Sequence, residues 1–275
     1  MISRMAPRPF APETARRPAA GPWLRRAGLM LFVAALLYPL SGLFAPVGSW
    51  QWDGDIPGST LASVATSLEL TAIALLVIAA IGTPIAWHLA RKSGRRSILW
   101  EAAILISVLL PPLALGILLS LAFGPTTWIG SLLLRMGLAS SNSPLAFTVT
   151  QVYVGMGYYI LAARAAFTAV PAELETMAAL LGRSPAQVFW RVTFPLSRLG
   201  LAAALSIAWV RTLGEFGAIV VTAYYPAGMP VQLWINLQDR GLPAVMPLLV
   251  VFLVSALPLP WLAYILARRR HPHHA

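Results

Sequence analysis

Residues 63–90 read SVATSLELTAIALLVIAAIGTPIAWHLA, and this stretch decides the fold. It runs for 28 residues with a single formal charge, Glu69, near its start. About 20 predominantly apolar residues are enough for a helix to cross the hydrocarbon core of a bilayer, while strands of soluble sheets are far shorter. Arg91, Lys92, Arg95 and Arg96 follow directly. A long apolar run stopped by a basic cluster predicts a membrane-spanning helix with its basic end on the cytosolic side.

Five more runs of this kind lie outward from it, at roughly 27–44 (AGLMLFVAALLYPLSGLF), 100–123, 144–168, 200–223 and 244–267. The 27–44 run has a basic flank and modest length, which also fit a signal peptide. The 26-residue leading arm is long for that, and no A-x-A-like cleavage site follows, so a retained helix is expected. Of the 275 residues, 58% are hydrophobic and 11% charged, and mean hydropathy is +0.74. Soluble domains carry about 25% charged residues. The apolar surplus must face lipid. The expectation is an all-α integral membrane protein of about six spans.

The net charge of +11 rests on nineteen arginines and one lysine, set in short clusters between the runs with no interleaved aromatics. That pattern sets topology and excludes a nucleic-acid surface. Seventeen of the twenty basic residues fall in the arm 1–26, the 91–96 connection, the 164–199 stretch and the tail 268–275. The intervening connections hold only Arg135 and Arg240, and Arg211 lies inside a run. Both termini are therefore expected in the cytosol. The arm 1–26, rich in Pro, Ala and Arg, is expected to be disordered, residues 27–267 to form the membrane domain, and 268–275 to be a cytosolic tail. Trp50 and Trp52, in APVGSWQWDGDIPG, suit an interfacial belt, and residues 124–143 are expected to hold a short interfacial or re-entrant helix. Residues 224–243 read as a loop. Prolines 39, 84, 111, 112, 258 and 260 lie inside runs and bend them, most sharply at the Pro111-Pro112 pair, which suits helices arranged around a pathway.

The connection 169–199, AVPAELETMAALLGRSPAQVFWRVTFPLSR, is too long and too patterned for a plain loop. It predicts two short helices. The first covers 172–181, with Glu173 and Glu175 in its first turn and Gly182 as its stop; the second starts after Ser184-Pro185 and reaches about Arg191, with Pro195 ending the unit. Each carries an apolar face, Leu174, Met177, Ala178 and Leu181 on one and Val188, Phe189 and Val192 on the other. An ordered helix pair with exposed apolar surface is expected to dock on a partner.

This connection resembles that of the binding-protein-dependent permeases of ABC importers, whose form is E-A-A-x-x-x-G-x9-I-x-L-P. Gly182, nine residues, then Val192-Thr193-Phe194-Pro195 match its second half. In the first half Thr176 stands at the glutamate position and Met177-Ala178 at the alanine pair, with Glu175 one residue earlier as a substitute. The resemblance implies that the two helices are a coupling element seated in a groove of cytosolic nucleotide-binding ATPase subunits. It also implies a periplasmic or surface-tethered solute-binding protein, two copies of this chain around one pathway, and a location in the inner or plasma membrane. ATP and magnesium would then belong to the partner. The only lysine, Lys92, follows Arg91 rather than Gly, so the chain has no Walker A loop and is no ATPase by itself.

The stretch 210–242, VRTLGEFGAIVVTAYYPAGMPVQLWINLQDRGL, places Arg211 and Glu215 four residues apart within an apolar run. On one helix face they read either as an ion pair that fixes packing or a gate, or as a site where Arg211 lines the path of an anion. With Pro111 and Pro112 they are the candidates for path or gate. Gly214 and Gly217 allow close helix approach. R-T-L-G-E-F-G followed by A-Y-Y-P, Pro230-Val231 and Gly241-Leu242 is similar to the molybdate/tungstate branch of oxyanion importers, with sulfate permeases as cousins. That similarity implies an oxyanion as cargo. Permeation of another solute (sulfate, ferric ion, thiamine), and a stand-alone channel or secondary carrier, remain as alternatives.

Remaining signals are weak. Glu69 and His88 suit interfacial positions. His271, His273 and His274 have no acid or cysteine partner and make a poor metal site. No cysteine is present, and neither H-E-x-x-H nor G-x-S-x-G occurs, which excludes disulfides and the common hydrolytic motifs.

Overall fold

In the computed structural model, residues 22–44, 56–92 and 94–268 are described. The arm 1–21, the Trp50/Trp52 segment and the histidine tail lie outside them. Two units are distinguished, 1–48 and 49–275. The first contains α1 (Pro22–Leu37), which tightens into a 3-10 turn over Tyr38–Leu43 with Pro39 in its first turn.

The second unit is helical, with no strand among its described residues. Its framework is α2 (Ile56–Arg91), α6 (Pro144–Thr168) and α9 (Phe194–Leu213). With 36 residues rising about 1.5 Å each, α2 is about 54 Å long, so it outreaches a hydrocarbon core of about 30 Å. Ser63, Ser67, Thr71, Ala74, Ile78, Gly82, Ala86 and Leu89, spaced by threes and fours, form its buried stripe. Small residues let the three helices touch. A Cβ on Gly155 of α6 would lie 2.5 Å from Thr212 of α9 and 2.7 Å from Ile78 of α2. At the same crossing the buried Gln151 donates to Thr71 Oγ1 at 2.8 Å and to the Thr212 carbonyl at 3.1 Å. Lower in the bundle Ile78, Ala86, Leu89, Tyr159, Ala163, Phe167, Leu201 and Ala204 pack as one core.

Among the described residues, five helical stretches are long and apolar enough to cross a membrane, or six if α3 (Arg95–Leu109) and α4 (Pro112–Phe123) count as one. The run expected at 100–123 is broken at the Pro111-Pro112 pair. Leu110 and Pro111 are extended, and the two halves meet at 109°. Pro112 has no N–H to donate and starts α4 at a position where none is needed. In the 124–143 connection, α5 (Trp128–Arg135) starts at Thr127, whose hydroxyl caps Gly130 N–H at 3.0 Å.

The expectation of a span over 200–223 is corrected. Helix α9 stops at Leu213, Gly214 caps it, and after a turn the four-residue α10 (Ile219–Thr222) begins. The 224–243 segment is not only a loop: α11 (Met229–Arg240) occupies most of it, opened by Pro230 in its first turn. The last span is α12 (Leu242–Ala256) followed by α13 (Pro258–Arg268), divided at Leu257 where Pro258 enters. Arg164, counted above as a topology charge, pairs with Glu101 at 2.9 Å and ties α6 to α3.

Candidate functional sites

The 169–199 segment begins as its punctuation indicates. Helix α7 (Ala172–Leu180) ends in a reversed turn in which Gly182 has φ +81°, Gly182 N–H donates to the Ala179 carbonyl and Arg183 N–H to that of Ala178. An L side chain at 182 would be strained, so the glycine fixes where α7 stops. Ser184 and Gln187 then form a reciprocal capping box at the start of α8 (Pro185–Val188).

Beyond that point the structure differs from expectation. Pro195 does not end the unit. Residues Phe189–Thr193 form one widened π turn, in which Phe194 N–H reaches back five residues to the Phe189 carbonyl. Proline in an ordinary helix clashes with the carbonyl four residues earlier; the wider turn gives Pro195 room, and helix continues from Pro185 to Leu213. Val188 and Phe189 also pack inward, Phe189 only in part. Val188 is 6% exposed, and the Phe189 ring packs 5.0 Å from Trp87 of α2 and 6.1 Å from Phe167 of α6.

Exposed apolar surface lies on α7 and its end, and also at Trp190 and Phe194. Leu174, Met177, Leu180 and Leu181 are all exposed, the last two at 83%, whereas Ala178 is half-buried and Glu173 exposed. Leu180 was missed because it lies off the face chosen from helical spacing. Glu175 points the other way. Arg91 at the end of α2 donates from Nε to Glu175 Oε2 at 2.8 Å and from Nη2 to Oε1 at 2.7 Å. Thr193, fully buried in the π turn, donates its hydroxyl to Oε1 at 2.5 Å. Burial alone would raise this carboxyl's pKa, but the Arg91 and Thr193 bonds and the arginine charge outweigh it and hold the group below its ordinary range. Thr176, at the family's glutamate position, is exposed and returns its hydroxyl to the Ala172 carbonyl. Neither Arg91 nor Thr193 was marked by the sequence: one looked like a topology charge and the other like filler in an apolar helix.

The second candidate site is where two broken helices meet. A Cβ on Gly217 would fall 2.8 Å from the Pro112 Cβ, and one on Gly116 2.8 Å from the Ala218 Cα. The Pro111-Pro112 break and the Gly214–Ala218 break therefore pack backbone to backbone. Arg211, in the last turn of α9, pairs with Glu215, which is 1% exposed. Glu215 also accepts the Ala218 N–H at 2.7 Å, taking up a donor at the start of α10. The Arg211 guanidinium carbon lies 5.4 Å from the centre of the Tyr158 ring, a cation–π contact. The two residues are thus not stacked along one unbroken helix. The pair fastens the break, and only Arg211, 27% exposed, retains an open side. Trp234 of α11 sits 5.7 Å from Phe216, covering the same turn. Glu69 and His88 are exposed.

Half-helices that meet inside an apolar bundle, with their freed backbone groups taken up by side chains, are the build of a polytopic membrane permease. The chain belongs to the family of binding-protein-dependent transport system inner membrane components, whose profile matches residues 82–272. It is 32% identical over 241 residues (87% of this chain, 86% of the other) to a probable molybdenum ABC transporter permease protein of Haloferax volcanii. It is 33% identical over 201 residues (72% and 75%) to the molybdenum transport system permease protein ModB of Mycobacterium tuberculosis. The fold is shared at 16% identity with a chain of a bacterial alginate ABC transporter crystallised with an alginate-bound periplasmic protein, at TM-score 0.71 over 90% of this chain and 94% of that one. It is shared too with the MetNI methionine ABC transporter, at TM-score 0.62 over 80% and 100%. This is a multi-pass membrane protein of the permease class.

Proposed function

We propose that this chain is the membrane subunit of an ATP-driven importer for a tetrahedral oxyanion, molybdate or tungstate. The observation that carries the proposal is the identity of 32–33% over most of the chain to permeases named for molybdenum transport. Two copies form one pathway in the inner or plasma membrane, with both termini in the cytosol. The basic-residue distribution supports that orientation, provided that α3 and α4 together cross the bilayer.

The α7 face of Leu174, Met177, Leu180 and Leu181 is the surface that meets a nucleotide-binding subunit. Side chains of that size exposed at 41–83% are otherwise a solubility liability in the cytosol. Glu173, on the same exposed turn, supplies a charge for the rim of that contact. ATP and magnesium are held by the partner, and a binding protein delivers the anion from the other side. On ATPase closure α7 moves with its partner, and the meeting point of the broken helices rearranges to open the path. A substrate that carries two negative charges meets one partly open cation there, Arg211, whose charge Glu215 already balances, so passage is weakly held rather than trapped.

The deciding experiment is uptake. Cells that lack this chain and are supplied with it and its ATPase should regain accumulation of labelled molybdate or tungstate, and sulfate in tenfold excess should not compete. Recovery of sulfate uptake alone would replace the cargo assignment, and uptake without any ATPase would replace the transporter class with a stand-alone carrier.

A further inference from the structure

We infer that Glu175 is a positioning residue that works inside this chain, as the pin of a clamp joining the coupling segment to the membrane helices, and does not meet the ATPase directly. The inference rests on the coupling role proposed for α7.

The geometry is that of a closed site. Both carboxylate oxygens are taken: Oε2 by Arg91 Nε, Oε1 by Arg91 Nη2 and by the Thr193 hydroxyl. The side chain is 14% exposed and that of Arg91 21%. The same Nη2 of Arg91 reaches the Val170 carbonyl, just past the end of α6, at 3.2 Å. One carboxylate and one guanidinium thus tie the end of α2 to three places in the 170–193 segment: the end of α6, α7, and the π turn that leads into α9. A fork-on-fork arginine–carboxylate pair fixes direction as well as distance. A partner surface could reach Glu175 only by dismantling this arrangement.

The clamp has mechanical content because α7 is otherwise held mainly by local packing on α8 and the π turn. No residue of α7 is buried, and its large apolar side chains Leu174, Met177 and Leu180 are exposed. Without Glu175 the helix would keep its two connections and that local packing. A force applied to Leu180 and Leu181 would then tilt α7 locally and dissipate. With the clamp, it is delivered to α2 and to the π turn together. Thr193 makes the second attachment specific, since its hydroxyl is presented by the turn that Pro195 widens.

The test separates the clamp from docking. Amide hydrogen exchange over residues 172–181 is followed in the chain alone, in detergent, with no ATPase present. Glu175→Gln and Arg91→Gln should each speed exchange about tenfold, since a bond to a charged partner outweighs a neutral one. Leu181→Asp should leave it unchanged, and the reversed pair Arg91→Glu with Glu175→Arg should restore much of the protection. The complex with the ATPase is then purified. Glu175→Gln should retain the ATPase while losing most substrate-stimulated transport. Unchanged exchange in Glu175→Gln overturns the clamp, as does loss of the ATPase from that variant with α7 still protected. If the wild-type chain holds no ATPase at all, the coupling role fails, while the exchange result still decides the clamp.

Discussion

Gly217 and Pro112 touch so closely that no side chain fits between them: a Cβ on the glycine would stand 2.8 Å from the Cβ of the proline. The contact brings together two segments that break their helices for different reasons, one because proline cannot donate and the other because Gly214 and Glu215 end α9. Gly217→Val should separate the breaks and cost about 2–3 kcal/mol through overpacking. Thermal unfolding of the detergent-solubilised chain measures the loss. A melting temperature within one degree of wild type would show that the breaks move apart freely.

Gln151 joins α2, α6 and α9 through two donated bonds at their crossing. Gln151→Leu should lower stability by about 1–2 kcal/mol, the range for side-chain hydrogen bonds between membrane helices. Thr71→Val removes one of the two and should cost less. Equal losses in the two variants would contradict this apportioning.

Arg211 and Glu215 depend on each other. Removing either alone strands a charge in the bundle, so Arg211→Gln and Glu215→Gln should each cut the yield of folded chain severely. The double variant should fold better than either, because no uncompensated charge remains. Yield after size-exclusion chromatography reads this directly, and additive losses would mean that the pair is not a unit.

The clamp at Glu175 has a defined response to pH. Its folded-state pKa is depressed below the unfolded value of about 4.5 by Arg91 and Thr193, so its contribution is complete above that value and is lost as pH falls through the lower folded value. Between pH 6 and 8 the excess protection of α7 in wild type over Glu175→Gln should stay constant, after correction for intrinsic exchange. Below about pH 4.5 the two should converge. A difference that grew toward low pH would have the wrong sign for a depressed carboxylate.

The chain has no cysteine, so single cysteines report topology without further engineering. With both termini in the cytosol and the α3–α4 pair crossing, Ser141→Cys should react with an impermeant maleimide in intact cells and Arg183→Cys only after permeabilisation. Lys92→Cys and Ser141→Cys flank the α3–α4 pair, so labelling of these two from one side would make the 109° pair a re-entrant hairpin.

Much of this architecture was readable from the residues. Helix α6 matches its expected bounds at 144–168 because apolar length, a serine cap before Pro144 and a basic stretch beyond it agree. Helix breaks were harder to read. Within 200–223 the residues Gly214, Glu215 and Gly217 interrupt the apolar run only briefly, and the packing of Gly217 on Pro112 lies in no local window. Helix α11 was read as loop because Gln232, Asn236, Gln238 and Asp239 make it polar, although Gln232 bonds Asn236 and Asn236 bonds the Ala244 carbonyl. In the 169–199 segment, residue types identified α7, its glycine stop and the serine cap. They did not show which apolar residues face outward, since Val188 is buried and the Phe189 ring packs on Trp87 and Phe167, residues of distant segments.

The unbroken path from Pro185 to Leu213 has a consequence for how far a displacement travels. Its 29 residues form a stiff rod about 43 Å long, with the capping box at one end and Arg211 near the other. Rotating such a rod by a few degrees about its middle swings both ends by an ångström or more in opposite directions. An event at Ser184 is therefore felt at the Gly214 break without crossing any loop, and the single wide turn at Phe189–Thr193 sets the angle at which the lever is fitted.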